Sequence, residues 1–137
     1  MTPLFIDSSA FVALHYPKDS SHKKALIILE NIAKETFTYY TSLNVILEAL
    51  TVVSQRVSKE YAVLLLDELR SGKYTVIHPD EELIASAEGI FREIRSKNVS
   101  YSDCVSFAVM RRYGIQWVFS FDLHFKKQGF KRVGIDR

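Results

Sequence analysis

Short apolar runs alternate with longer amphipathic segments along the chain, and this alternation predicts the secondary structure. Apolar and β-branched runs predict strands at residues 4–6, 37–41, 73–77 and 117–121, with a weaker fifth at 131–135. Apolar residues at helical spacing, with capping residues before them, predict helices at residues 8–16, 21–32, 42–56, 58–70, 80–97 and 102–114. Strands that alternate with helices are typical of a parallel sheet covered on both faces. We therefore predict an α/β fold, a three-layer α/β/α sandwich around a central parallel sheet of four to five strands.

Length and composition limit the class of protein. A chain of 137 residues with 47% hydrophobic and 25% charged residues is typical of one globular domain, here residues 1–137. The single cysteine excludes an internal disulfide and a Cys-rich zinc site, and it fits a reducing compartment. The apolar stretches are shorter than the ~20 residues that span a bilayer, and the N-terminus lacks the features of a signal peptide. We expect a cytoplasmic protein with no membrane association.

Four acidic residues interrupt segments in which a negative charge has little structural use. Asp7 and Asp122 each follow an apolar strand directly, Glu48 lies within an apolar helical segment, and Asp103 opens another helix. Ligands of a parallel sheet bind beyond the carboxyl ends of its strands, so we expect Asp7 and Asp122 at the same edge. If the fold also brings Glu48 and Asp103 there, the crowded carboxylates repel one another and require divalent cations to neutralise them.

Each acid also has an ordinary structural interpretation. Asp7 precedes a predicted helix and would cap its N-terminus, and Asp103 follows Ser100 at the spacing of a capping box. Asp122 would simply open a turn. Glu48 is the hardest to explain in this way, because its helical neighbours are mostly apolar. Taken singly, a cap is the simpler interpretation of Asp7, whereas the ordered set of four acids favours a shared site.

The order and spacing of these acids resemble the PIN domain, the small nuclease fold of the toxins in many bacterial and archaeal toxin–antitoxin pairs of the VapC type. The resemblance covers essentially the whole chain. It rests on four segments that each contain one of the acids: Phe5-Ile6-Asp7-Ser8-Ser9, Thr41-Ser42 through Glu48, Tyr101-Ser102-Asp103-Cys104 and Phe119-Ser120-Phe121-Asp122-Leu123-His124-Phe125. No single segment is specific, but the ordered set is.

The resemblance implies a metal-dependent endoribonuclease that cleaves RNA with Mg²⁺ or Mn²⁺. The implied catalytic and metal-binding residues are the four acids, Asp7, Glu48, Asp103 and Asp122. Hydroxyl groups at Ser9 and Ser120 would support the site by hydrogen bonding. Ser8 and Cys104 depart from the more usual Thr and Ala of the family, but both are small. A homodimer and a small antitoxin partner, whose tail would cover the pocket or insert an Arg into it, are implied as well.

The C-terminal part of the chain is basic, although the net charge is only +2. Basic side chains beside an acidic metal site would attract a polyanion and position it. The residues that we consider for contacts with RNA phosphates are Lys126, Lys127, Lys131 and Arg132. From the charges alone, a solvated surface with a modest bias is the simpler interpretation. His124 is expected to lie beside the site without touching a metal.

Other functions remain open at this point. A phosphatase of the haloacid dehalogenase type needs a second Asp where Ser9 stands. A receiver-like signalling module needs a pair of acids after its first strand and one helix between successive strands, whereas two helices are predicted before Phe37. A PIN domain that serves as a non-catalytic binding module, or as a housekeeping RNA-processing nuclease, fits the same residues. The sequence does not identify the RNA.

Overall fold

The computed structural model describes residues 1–137 and contains one sheet of five strands, all of them parallel to their neighbours. The strands are β1 (Thr2–Ile6), β2 (Phe37–Ser42), β3 (Tyr74–Ile77), β4 (Trp117–Phe119) and β5 (Lys131–Arg132). The helices are α1 (Ser8–His15), α2 (His22–Ile32), α3 (Leu43–Arg56), α4 (Lys59–Leu69), α5 (Glu81–Glu93), α6 (Tyr101–Arg112) and α7 (Leu123–Lys127). The predicted α/β fold with a central parallel sheet is confirmed.

The first strand lies at the centre of the sheet, whose order is β3-β2-β1-β4-β5. Leu4 and Phe5 are completely buried, as expected for a parallel strand covered on both faces. The chain builds one side of the sheet with β2 and β3, then crosses back to add β4 and β5 on the other side. The strand order therefore reverses between β1 and β4. The crevice beyond their carboxyl ends is the place where α/β proteins bind ligands.

Helix α6 is the most deeply embedded helix, since residues 104–110 are all buried. Its Phe107 packs edge-on against Phe125 of α7, with ring centroids 5.0 Å apart, and stacks with Phe130 at 6.1 Å. Such aromatic contacts add to the free energy gained by burying the rings. The packing fixes α6, and with it the first turn that carries Asp103, against the C-terminal part of the chain.

The differences from the sequence prediction lie at the ends of elements. The helix predicted at residues 80–97 ends at Glu93, and residues 95–98 are exposed, so no apolar contact supports another turn. The strand predicted at 117–121 ends at Phe119, because Asp122 instead caps the unpredicted helix α7 and accepts the backbone N–H of His124. The predicted fifth strand is reduced to Lys131–Arg132. No helix combines the length and the apolar composition that crossing a bilayer requires.

Replacement of Phe107 by alanine should lower the free energy of unfolding by ~3–5 kcal/mol, because the ring is fully buried and its removal leaves a cavity. Urea denaturation followed by circular dichroism measures the change. Phe91→Ala is the matched control, since this ring is 46% exposed and its loss should cost far less. Equal losses in the two variants would contradict the packing described for α6.

Candidate active site

All four acidic residues lie at the carboxyl edge of the sheet. Asp7 follows β1 directly, and its backbone N–H donates to the carbonyl of Phe119 at the end of β4 (3.0 Å). Asp122 begins α7 shortly after β4, Glu48 lies in α3 just after β2, and Asp103 occupies the first turn of α6. The structure therefore brings together residues that are more than a hundred positions apart in the sequence.

Asp7 is the buried centre of this cluster, with only 4% of its surface exposed. Asp7 stands at the N-cap position of α1, but its side chain accepts none of the helix N–H groups, so the simpler interpretation of its carboxylate as a cap is wrong. One carboxylate oxygen, Oδ2, instead accepts hydrogen bonds from the hydroxyls of Ser120 (2.7 Å) and Ser9 (2.9 Å). The two hydroxyls, 3.2 Å apart, hold the carboxylate in a fixed orientation.

Burial is the main cause that raises the pKa of Asp7 to about 6; the hydrogen bonds from Ser120 and Ser9 oppose the rise, and the negative charges of Asp103 and Glu48 add to it. The pKa of Asp103 is also raised, first by burial and then by the charges of Asp122 and Glu48. These mutual effects require the four side chains to lie near one another. The site accumulates negative charge that the protein itself does not neutralise.

The other three acids are each held through one of their two carboxylate oxygens. Ser8 donates its hydroxyl proton to Oε1 of Glu48, which is otherwise exposed (2.6 Å). Oδ2 of Asp103 accepts the backbone N–H of Ser100, while the Ser100 hydroxyl accepts the N–H of Asp103, so the predicted capping box is present. Asp103 thus combines a structural contact with a place in the acidic cluster.

His124 contacts Asp122 directly. Oδ1 of Asp122 lies 2.8 Å from both the backbone nitrogen and the ring Nδ1 of His124. The backbone nitrogen of Asp122 in turn donates to the Ser120 hydroxyl, the same group that donates to Asp7. Ser120 therefore connects the acid after β1 to the acid after β4, and the imidazole holds Asp122 from its other side.

Each of the four carboxylates uses only one of its oxygens in these contacts. Oδ1 of Asp7, Oδ1 of Asp103, Oδ2 of Asp122 and Oε2 of Glu48 accept no hydrogen bond. No buried side-chain oxygen or nitrogen in the molecule lacks a partner, so these four oxygens all reach solvent. The site offers one unpartnered anionic oxygen from each of four different elements.

This donor set fits a hard divalent cation. Carboxylate oxygens are the ligands that Mg²⁺ and Mn²⁺ prefer, and a cation would offset both the burial of the Asp7 charge and the repulsion from Asp103 and Glu48, which together raise the pKa of Asp7. As the side chains stand, no group of three or more His, Cys, Asp or Glu residues is placed to hold a metal ion. The fit to a cation therefore rests on the chemistry of the unpartnered oxygens and not on a preformed coordination geometry.

A polar contact that sequence reasoning missed fixes the distance between two of the acids. The side-chain amide of Asn44, one helical turn before Glu48 in α3, donates to the carbonyl (2.9 Å) and hydroxyl (3.1 Å) oxygens of Ser102 and to the hydroxyl of Ser106 (3.0 Å). These bonds tie the start of α3 to the start of α6. The sequence did contain a signal for this contact: the amide of Asn44 lies one helical turn from Glu48, and serines lie near Asp103.

The structure separates the basic residues that the sequence suggested for RNA contacts. Arg132 is not available for RNA contacts, because its guanidinium is largely buried and pairs with both carboxylate oxygens of Asp136 at 3.0 Å. Lys131 pairs with Trp117, the first residue of β4, and its ammonium lies over that ring on the amino side of the sheet. Lys126 and Lys127 remain exposed on α7, close in sequence to Asp122.

The largest cavity of the molecule, with a volume of about 380 Å³, is not part of the acidic site. It is bounded by Thr2, Phe37 and Trp117, which are the first residues of β1, β2 and β4. It therefore opens at the amino edge of the sheet, opposite the four acids. Its Asp136 is already paired with Arg132.

Replacement of Asp7 by asparagine should stabilise the metal-free protein at neutral pH by up to ~3 kcal/mol, because an ionised Asp7 is penalised in the folded state. Below about pH 4 the carboxyl is protonated in both states and contributes no penalty. Between about pH 4 and 6 the folded state retains a proton that the unfolded chain releases, so wild-type stability falls as the pH rises. The gain from asparagine should therefore grow over this interval in urea denaturation with EDTA. A gain that is independent of pH would contradict the raised pKa.

The two functions of Asp103 can be separated by two substitutions. Asp103→Asn keeps an oxygen for the Ser100 N–H and removes the charge, so its stability should equal or exceed that of the wild type. Asp103→Ala removes the acceptor as well, and should be less stable than Asp103→Asn by ~0.5–2 kcal/mol. Thermal denaturation in EDTA measures the difference. Identical melting temperatures would show that the capping contact contributes nothing.

Comparison with known proteins agrees with this architecture. Two Mycobacterium tuberculosis proteins, both named 23S rRNA-specific endonuclease VapC20, are 30% identical to this chain over 130 residues, which is 95% of the chain and 97% of each relative. The crystal structure of Mycobacterium tuberculosis VapC20, described as a sarcin-ricin loop cleaving toxin, superposes with a TM-score of 0.84 at 29% identity and covers 93% of this chain and 95% of its own.

More distant structures share the fold. VapBC2 from Rickettsia felis, bound to a promoter DNA fragment, has a TM-score of 0.69 at 16% identity, and covers 96% of this chain and 97% of its own. FitAcB from Neisseria gonorrhoeae has a TM-score of 0.67 at 14% identity, and covers 96% of each chain. The family model of the PIN domain matches residues 4–131. With nearly its whole length matched, the chain belongs to the PIN domain family.

Proposed function

We propose that this protein is a metal-dependent endoribonuclease that hydrolyses phosphodiester bonds in RNA and acts as the toxin of a toxin–antitoxin pair. The observation that carries the proposal is the set of four carboxylates at the switch point of the sheet, each with one unpartnered oxygen. Asp7, Glu48, Asp103 and Asp122 would hold Mg²⁺ or Mn²⁺. No Lys or Arg pairs with any of the four carboxylates, so a bound metal would supply the positive charge that lets a phosphate approach them.

The residues around the acids prepare the site for this chemistry. A bound divalent cation supplies Lewis acidity, which polarises a phosphoryl oxygen and lowers the pKa of a coordinated water. Ser9 and Ser120 would orient Asp7, Ser8 would orient Glu48, and His124 would hold Asp122. Hydrogen-bond partners of this kind keep the carboxylate oxygens directed at the metal position before the substrate binds.

RNA is the substrate class that the relatives support. Both curated relatives are named as endonucleases specific for 23S rRNA, and they align along nearly the whole of this chain. We extend the reaction class to this chain and expect cleavage in single-stranded or loop regions, because a phosphodiester inside a base-paired helix is harder to present to a pocket. The proposed compartment is the cytoplasm.

A cognate antitoxin and a second copy of the chain are the proposed partners. VapBC and FitAB assemblies are among the solved structures with this fold. Large apolar side chains are also exposed on the helices, and a partner protein would remove them from water. The most exposed of them are Leu64 (64%), Leu47 (61%) and Ile27 (60%).

Incubation of the purified protein with labelled ribosomal RNA should give discrete cleavage with Mg²⁺ or Mn²⁺ and none with EDTA. Asp7→Asn should abolish cleavage while the protein stays folded, because removal of the central charge removes a metal ligand. The products should carry 5′-phosphate and 3′-hydroxyl ends, which end-specific ligation identifies. Lys131→Ala is the control, since this residue lies on the amino side of the sheet and should leave cleavage intact.

Cleavage that persists in EDTA would remove the metal from the proposal. Full activity in Asp7→Asn would remove Asp7 from the site. A folded wild-type protein that binds RNA and Mn²⁺ but cuts no RNA would instead identify a non-catalytic binding module on the same scaffold. Cleavage of a precursor RNA without inhibition by any neighbouring gene product would favour a housekeeping role over a toxin.

A further inference from the structure

A groove with a volume of about 330 Å³ opens directly beside Glu48. Its α3 wall is formed by Glu48, Val52 and Arg56, whose spacing of four residues places them on one face of the helix. Ser8 and Ser9, which contact Glu48 and Asp7, form part of the opposite wall. The groove therefore runs from the acidic cluster along α3 to Arg56.

Arg56 is a cation without a partner at the far end of this groove. It lies in the last turn of α3, is exposed, and makes no side-chain hydrogen bond or ion pair within the chain. Its guanidinium lies 5.9 Å from the centroid of the Tyr16 ring, a cation–π distance that limits its orientations without occupying its N–H donors. All of these donors remain available to a ligand.

The remaining polar groups of the groove do not neutralise Arg56. Asp19 accepts the backbone N–H of Ser21 (2.8 Å), which commits that oxygen to the turn before α2. The hydroxyls of Ser20 and Ser21 line the groove and make no side-chain hydrogen bond. An arginine with a free fork of donors and nearby free hydroxyls is a combination suited to the oxygens of a phosphate.

We propose that Arg56 is a positioning residue that binds a phosphate of the RNA strand next to the scissile one, and that the groove along α3 is the path of that strand. The inference rests on the proposed ribonuclease function. Eight residues of α-helix separate Arg56 from Glu48, a rise of ~12 Å along the groove, so the phosphate at Arg56 would lie further along the strand than the one at the four acids. It would instead fix the register of the strand relative to them.

A phosphate contact of this kind is made equally in the bound substrate and in the transition state. Loss of Arg56 should therefore raise KM with little change in kcat, whereas damage to the acidic cluster would lower kcat. Steady-state cleavage of a short RNA by wild type, Arg56→Ala and Arg56→Lys tests this. The lysine variant should recover part of the loss, because it keeps the charge but not the planar fork.

Binding can be measured without cleavage in the Asp7→Asn background with Mg²⁺ present, using a fluorescent single-stranded RNA that contains the sequence cut by the wild type. Arg56→Ala should raise Kd roughly tenfold, equivalent to ~1.4 kcal/mol. It should also reduce the slope of log K against log salt concentration by ~0.7, the value for one phosphate contact on a single strand. Arg70→Ala is the matched control: it removes an equal, exposed charge that is outside the groove, and it should change neither quantity.

A scan with methylphosphonate, which neutralises one phosphate of the RNA at a time, locates the contact. In protein that retains Arg56, methylphosphonate at one position next to the scissile phosphate should weaken RNA binding. The same substitution in the RNA should not change binding by Arg56→Ala. Unchanged Kd and salt slope in Arg56→Ala, or sensitivity to the same phosphate with and without Arg56, would overturn the proposal. These outcomes differ from failure of the ribonuclease function, which would be seen as absence of RNA cleavage by the wild type.

Discussion

Mutual repulsion among four carboxylates is the constraint on which the site depends. Burial is the main cause that raises the pKa of Asp7 to about 6 and that raises the pKa of Asp103, and the charges of neighbouring acids add to both shifts. Several hydroxyl and backbone groups are used to hold the acids against this repulsion, and one oxygen of each acid is left unpartnered. The folded protein thus holds unfavourable negative charge that a bound cation would offset.

The sheet explains why the repulsion is tolerated at this place. The carboxyl ends of β1 and β4 are adjacent because the strand order reverses there, so acids that follow these strands are neighbours whatever their distance in sequence. Helices α3 and α6 begin at the same edge, and the amide of Asn44 ties them together. The rest of the molecule packs around an apolar core. The free energy gained by burying that core offsets the cost of holding the four charges together.

The sheet, most of the helices and the convergence of Asp7 and Asp122 were predictable, because hydrophobic periodicity and the strand-then-acid pattern are local signals. The interpretation of Asp7 as a helix cap was wrong, since its carboxylate is held by Ser120 from the opposite end of the chain, a contact that local pattern does not reveal. Arg132 was suggested for RNA contacts on charge alone, but it pairs with Asp136 four residues away. Arg56 was overlooked because one arginine at the end of a helix has no distinctive local pattern, and only the groove beside Glu48 gives it a role.

The hydrogen bond from Ser120 to Asp7 joins residues separated by 113 positions. Ser120 comes directly after β4, so the carboxylate of Asp7 gains this support only when β4 has paired with β1. The short segment around Asp7 cannot orient its side chain without that distant strand. Closing so long a loop is costly in chain entropy, which makes the orientation of Asp7 a product of tertiary folding and not of local structure.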